Sequence, residues 1–520
     1  MERLKVKPKY GAGEIMSKEP FRTVLPSPSG RGDGSRTPLQ PWDAAESYLY
    51  YTQADFMRQF EVSGHRINNP YDPDYRDKVK VVERTDPKTG ETYTKKYFQP
   101  MIRIAVPFQR MITTKRLTAI TGNNISQQMS AEDMGAEAER TFYSYLKGWK
   151  DKSMEIAWYF AAKSCLVTAD AAFCGWLKDG VFGWRVFSYL NGDTLYPHYD
   201  ITGRLDAFGR AYRMYDARGR SYRRMLDVWD DRYVHHYEYS ERGLQGLINS
   251  VLDWATGDGA WRYTGSDIHG FESIPIAYHR SPYPCWTPVQ STIEQFESAI
   301  SRLAENNKAY ALRILFTKGA ALAMESTVDG TPYQINTEET DADARFLEPA
   351  DMSGSMKTEI DILEDSIYRG SFTVKTPDVR GSDLSGLAVE LLFTDSNQQA
   401  HCDAQELKPF VDDMSRIFVY GMARETGQTA LAELNVFNEI IPFMPKSETE
   451  EVSNIVQLVG SGVLSRRSGS EMGTSLGYGR TSEWLRIQRE EREMLIGQAG
   501  GNANQNKDGD GAGQKTEGGA

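Results

Sequence analysis

Two amphipathic stretches on either side of a strand-rich insert constrain this chain most. From Val289, apolar residues recur at Ile293, Phe296, Ile300 and Leu303, in steps of four and three. On a helix turning every 3.6 residues these positions form one narrow seam. Met356, Ile360, Leu363 and Ile367 repeat the pattern. Polar residues hold most of the remaining circumference, among them Glu294, Glu297, Ser301, Arg302, Glu305 and Asn306. So narrow a stripe suits the core of a helical hairpin, or a ring of helices whose flanks are covered by neighbouring subunits.

The second helix gives way to a polar loop, Arg369 to Leu384, punctuated by Gly370, Pro377 and Gly381. It is too poor in large apolar residues to be core, and can move while its flanking helices stay rigid. Its basic residues are Arg369, Lys375 and Arg380. Ser385, Gly386 and Ala388 then open a long helical run to about Tyr420, within which Pro409 removes a backbone hydrogen bond and is expected to kink the helix.

The rest of the chain supplies two to four domains' worth of residues. A hydrophobic content of 40%, with 28 Tyr and 10 Trp, is enough for true cores. Residues 1–43 are rich in Pro, Gly, Ser, Lys and Arg and read as a flexible arm. Helical signals begin near Ala44. A β-hairpin is expected between Asp72 and Phe98, with Asp86-Pro87-Lys88-Thr89-Gly90 as its turn. Helices are expected over 107–121, 130–150 and 152–167. Short aromatic and β-branched runs broken by Asp-Gly, Asn-Gly and Arg-Gly turns make 171–276 an antiparallel β region. Helix returns over 447–495, and 497–520 has too little apolar content to order itself.

Several kinds of chemistry are absent or weakly signalled. A net charge of −12 argues against a globally basic nucleic-acid binder. Cys165, Cys174, Cys285 and Cys402 form no CxxC pair, so no metal site is expected, and they read as reduced, mostly buried thiols. Gly513-Gln514-Lys515-Thr516 only approaches a P-loop. His235 and His236 are neighbours in a strand and therefore face opposite ways. His401 and Cys402 are neighbours on a helix and diverge by about 100°. The acidic run from Glu338 to Asp343 reads as a solvated loop. No cofactor is expected, no run is long and apolar enough to cross a membrane, and no secretory signal is visible.

In their order along the chain, these features resemble the portal proteins of tailed bacteriophages, from about residue 45 to about 495. Ala311 to Gly319 resembles the entry to that family's clip, Ser385-Gly386-Leu387-Ala388 the opening of its long helix, and Val463 to Arg467 the turn between its crown helices. Two departures stand out: Thr121-Gly122 matches the family's early helix end only loosely, and Ser468 stands where Thr is usual.

The resemblance implies an α+β portal fold: flexible arm 1–43, wing 44–287 of helices plus antiparallel sheet, stem helix 288–312, small α/β clip 313–353, and stem helix 354–368. It continues with tunnel loop 369–384, a long kinked helix and wing–crown connection 385–445, helical crown 446–496 and a disordered tail 497–520. It also implies a non-enzymatic homo-oligomeric ring, usually a dodecamer, that passes double-stranded DNA without sequence preference. Its partners would be terminase, a head-completion or adaptor protein, and the major capsid and scaffolding proteins. It would sit at the portal vertex of the virion capsid after assembly in the host cytoplasm. On this reading Arg369, Lys375 and Arg380 approach DNA phosphates, and the two seams mediate oligomerisation. Other readings are a ring-forming virion adaptor without a DNA-gating role, and a nucleic-acid-processing enzyme using carboxylates.

Overall fold

A computed structural model describes residues 4, 6–17, 22–26, 48–85, 92–129, 136–215, 222–239, 261–310, 314–318, 320–323, 334–337, 343–347, 353–375, 388, 391–443, 448–475, 487–489 and 492. The chain forms two compact units, residues 1–376 with 395–443, and residues 377–394 with 444–520.

The first unit opens with α1 (Ala12–Ser17), β1 (Arg22–Pro26), β2 (Tyr48–Thr52) and α2 (Gln53–Phe60). The hairpin β3 (Lys78–Thr85) and β4 (Thr92–Gln99) precedes α3 (Phe108–Thr121), β5 (Ser126–Met129), α4 (Ala136–Asp151) and α5 (Met154–Thr168). The β region comprises β6 (Asp170–Lys178), β7 (Val181–Phe187), β8 (Thr194–Tyr199), β9 (Leu205–Tyr215), β10 (Tyr222–Trp229), β11 (Tyr233–Tyr239), β12 (Trp261–Ile268) and β13 (Ile276–Arg280). Next come α6 (Gln290–Tyr310), β14 (Ile314–Lys318), β15 (Ala320–Ala323), β16 (Gln334–Thr337), β17 (Asp343–Leu347) and α7 (Ser353–Gly370). The long α8 (Thr394–Thr426), α9 (Thr429–Ala432) and β18 (Val436–Glu439) complete it.

Strand alternation builds the layers. Five antiparallel strands run in the order β12-β11-β10-β9-β8. Successive strand residues face opposite ways, so Leu195, Phe208 and Trp229 form one core while Tyr196, Ala207 and Val228 form another. The first core is closed by the three-stranded sheet β13-β6-β7, through Ala172, Cys174, Phe187 and Ile276. That sheet's other face, with Ala171, Phe173 and Val186, packs on the helices in the largest core. Its β6–β7 turn places Asp179 and Gly180 at φ 53° and 79°, as a two-residue hairpin with right-handed strand twist requires.

The second face of the five-stranded sheet is closed by α1, where Ala12 and Ile15 are almost fully buried. Lys9 and Tyr10 both bond Asp206, and Tyr263 Oη donates to the Val6 carbonyl at 2.8 Å. Residues 6–17 are thus docked, unlike the flexible arm expected over 1–43. A sheet face with apolar side chains must be covered, and this segment covers it. Another difference lies at 48–52, a strand where helix was expected, since Tyr-Leu-Tyr-Tyr-Thr is β-prone.

In the helical layer α8 carries Phe410, Val411, Met414 and Phe418 into the core, and runs unbroken through Pro409. Gly421 lets Phe182 lie against the helix backbone, since a Cβ there would stand 2.1 Å from the ring. In the second unit, α10 (Glu448–Gly460) and α11 (Arg466–Ser475) pack together, and Ser465 Oγ caps α11 by accepting from Ser468 N–H at 3.0 Å.

Candidate functional site

The two seams meet inside one chain. Helices α6 and α7 pack on each other over much of their length. Val289, Ile293, Phe296 and Ile367 are buried, and Ile300, Ile360 and Leu363 pack against the same core. Leu303 and Met356 are half-buried further along, where Asn306 Nδ2 approaches Met356 Sδ at 3.5 Å. At the core end, Phe296 meets Phe108 edge-on at 5.1 Å. The seam side chains are therefore satisfied within the subunit, whereas Ile362 on α7 is 60% exposed.

The polar side of α6 has an occupant within its own chain. Glu297 and Ser301 are fully buried. Glu297 Oε1 accepts from Val106 N–H at 2.8 Å, Ser301 Oγ from Ile104 N–H at 2.9 Å, and Glu305 Oε1 from Ile102 N–H at 3.4 Å. The spacing explains the match. Four helical residues rise about 6 Å and two extended residues about 6.6 Å. Every second amide of 102–106 thus finds every fourth side chain of α6. His65 Nδ1 completes the arrangement at 2.6 Å from Glu297 Oε1.

Between these helices, β14 pairs with β17 and β15 with β16, making nested antiparallel pairs. Among the described residues of 314–347 there are only strands, and the helical part expected of a small α/β clip has no counterpart among them. The acidic run 338–342 lies outside the described residues.

The start of the loop is pinned rather than free. Ser371 Oγ bonds the Ile367 carbonyl and Thr373 Oγ1, each at 2.7 Å. Lys115 donates to the Val374 carbonyl and lies over the Tyr368 ring at 5.1 Å; burial depresses its pKa. Between buried Ser371 and Thr373, Phe372 is 48% exposed at φ 53°, a left-handed backbone unusual for a bulky residue. Arg369 is exposed at the end of α7. Lys375 is paired with Glu364 of α7 at 2.8 Å. Arg380 lies outside the described residues, as do Ser385 and Gly386, while Ala388 is helical.

Sequence reasoning missed the tie between α3 and α8. Arg116 forms a bidentate pair with Asp403, with Nε to Oδ2 at 2.9 Å, and gives Nη1 to the Cys285 carbonyl at 3.2 Å. This pair, with Ser281, Phe372, Cys402 and Glu406, lines a cleft of about 270 Å³. Ser281 Oγ donates to Glu406 Oε1 at 2.8 Å, and His279 Nε2 lies 3.1 Å from the same hydroxyl. The hydroxyl proton is directed at the carboxylate, so this grouping ties β13 to α8. Burial raises the Cys174 thiol to about 12 and Cys285 to about 11, which suppresses the reactive thiolate. Cys165, Cys174 and Cys285 are buried, in keeping with the expected mostly buried set, whereas Cys402 is exposed beside exposed His401, because the core face of α8 passes through Asp403 and Ala404.

His235 and His236 take opposite faces. His235 Nε2 bonds Asp230 at 2.9 Å, while His236 lies between Asp227 at 2.6 Å and Asp267 at 3.1 Å. No three metal-ligating side chains converge among the described residues. No described helix is long and apolar enough to cross a membrane.

Comparison with known proteins gives a family match over most of the chain. The family described as "Phage portal protein, SPP1 Gp6-like" matches residues 58–493. No curated protein matches. Among solved structures, the chain is similar to one from "Neck of empty GTA particle computed with C6 symmetry", with a TM-score of 0.35 and 11% identity, covering 72% of this chain and 91% of that one.

Proposed function

The chain belongs to the phage portal protein family, SPP1 Gp6-like, and we propose from that premise that it closes a ring at one capsid vertex through which double-stranded DNA is packaged and ejected. Membership carries a connector role in the virion and a ring-forming, structural rather than enzymatic, character. The finer map is our reading: wing 44–287, stem helices 288–312 and 354–368, clip 313–353, tunnel loop 369–384, connection 385–445 and crown 446–496. Terminase and then a head-completion or adaptor protein dock on the clip, with capsid and scaffolding proteins as further neighbours. Assembly takes place in the host cytoplasm.

One observation carries this reading: the family match spans the whole succession of helix α6, nested strands, helix α7, loop and long helix α8. Lys375 and Arg380, with Arg369, are assigned to DNA phosphates in the channel. Such contacts position the duplex without reading its sequence.

The test is native mass spectrometry and negative-stain imaging of the purified protein. A single high mass, near that of a dodecamer, and a central hole are expected. A monodisperse monomer or dimer across a range of concentrations and salts would overturn the ring.

A further inference from the structure

The hairpin β3–β4 lies outside the cores described above. Its strands pair without interruption from Lys78↔Gln99 to Thr85↔Thr92. The base is clamped. Asp77 Oδ1 accepts from Met101 N–H at 3.1 Å and Arg103 Nη2 at 2.7 Å, and Arg103 also reaches the Tyr75 carbonyl at 3.1 Å. Past this clamp, no other element packs substantially on either strand among the described residues. Strands of this length make a ribbon about 27 Å long. Val81 and Phe98 are 54% and 74% exposed on one face, and Lys95 is exposed on the other. A lone two-stranded ribbon is marginal in water, so this one gains stability from whatever lies against it.

Directly opposed residues of an antiparallel pair share a face. One face of the ribbon therefore holds the pairs Lys78–Gln99, Lys80–Tyr97, Val82–Lys95 and Arg84–Tyr93. It carries four basic positions, two tyrosines and no acid. The other face holds Val79–Phe98, Val81–Lys96 and Glu83–Thr94, apolar toward the base. Such sorting stands out in a chain of net charge −12. We propose that the basic face binds the phosphate backbone of duplex DNA, independently of sequence and separately from the loop after α7. A row of cations interleaved with tyrosines suits a uniformly charged polyanion. A folded protein partner would be expected to centre on apolar anchors, and those positions, Val79 and Phe98, are on the opposite face. The choice of duplex DNA over other polyanions rests on the portal reading.

The test is anisotropy of the full-length protein with two unrelated short DNA duplexes over a salt series, with native mass measured in parallel. Removing one cation that neutralises a phosphate lowers the slope of log affinity against log salt by about 0.9. Lys78→Gln, Lys80→Gln, Arg84→Gln and Lys95→Gln combined should lower it by about 3 to 4 for both duplexes, with unchanged assembly. Lys96→Gln with Val81→Thr, on the opposite face, should leave it essentially unchanged. Should the fourfold variant not fold, Lys80→Gln and Lys95→Gln singly should each lower it by about 0.9. Unchanged slopes, or equal decreases from both faces, would overturn the proposal. So would polyglutamate bound as tightly as duplex at equal charge, which would assign the face to acidic protein. A wild type that binds DNA through these residues but forms no ring would sink the ring and leave this site standing.

Discussion

Asp170 begins β6, where the helical layer meets the three-stranded sheet, and is 1% exposed. Its carboxyl accepts from Gln53 Nε2 and, at 3.4 Å, from Tyr278 Oη. Burial outweighs these bonds and raises its pKa from 3.8 to about 7. A carboxyl raised in the fold binds its proton more tightly there than in the unfolded chain. Its stabilising effect is therefore full below about pH 3.8 and is lost as pH rises through about 7. At 1.36 kcal/mol per unit the whole effect is about 4 kcal/mol at most. Asp170→Asn stays neutral and can still accept from Gln53. The variant should gain stability relative to wild type between pH 5 and pH 8, measured as the denaturation midpoint at each pH. A pH-independent difference would show that the carboxyl is already charged throughout this range. Glu297 presents a different balance, because Val106 N–H and His65 Nδ1 both depend on it. Glu297→Ala leaves buried groups without their acceptor and should cost about 2 to 5 kcal/mol. Glu297→Gln keeps an acceptor oxygen and should cost clearly less in the same urea titration.

Among the elements, α6 and α7 separate subunit folding from ring formation. Ile300 packs toward the core of its own chain and Ile362 faces away from it. Ile300→Asp buries an unpaired charge, so loss of helical signal and loss of assembly should appear together. Ile362→Asp should keep the circular dichroism and melting point of wild type yet lower the yield of rings, if neighbouring subunits flank α7. Full ring yield would remove this side of α7 from the subunit interface. The periodicity of the two helices was legible because an apolar seam survives any partner, intramolecular or not. The burial of Glu297 and Ser301 was not legible. Their partners are 191 and 197 positions away, and a polar helix face reads the same whether water or a backbone amide answers it. For a similar reason the docking of residues 6–17 was hidden. A six-residue helix contributing mainly Ala12 and Ile15 leaves almost no period to detect. The β3–β4 hairpin was legible from its turn residues, although its face sorting needed the register. The alternation Ile102, Ile104, Val106 was a usable signal for the extended segment on α6, had it been set against the four-residue spacing of polar groups there.

For the whole molecule, the question is how a ring holds DNA without gripping it too tightly to slide. The loop after α7 begins from a fixed frame, since Ser371 and Thr373 are buried and Val374 is held by Lys115. Lys375 is 48% exposed on the side chain and balanced by Glu364 at 2.8 Å and Asp365 at 3.8 Å. Its pKa is raised by that hydrogen bond, so it stays charged through the neutral range. DNA phosphates would have to compete with α7 for it, which makes each interaction weak. An exposed pair of this kind is worth about 1 kcal/mol or less at physiological salt. Repeated around a ring, weak exchangeable interactions resist back-slippage while leaving translocation possible. Lys375→Ala with Arg380→Ala should therefore leave ring mass, melting point and terminase docking unchanged. The defect should appear as shorter encapsidated DNA or poorer retention of the packaged genome, and should deepen as salt is raised. Adding the fourfold change in the β3–β4 ribbon should worsen retention further, because the two sites share no described residue and effects of sites without shared partners add. Encapsidated DNA length and retention at two salt concentrations, compared across wild type, the loop variant, the ribbon variant and their combination, separate these contributions. Equal values for wild type and the loop variant at both salts would remove Lys375 and Arg380 from the channel's grip on DNA, leaving the ring and its family membership intact.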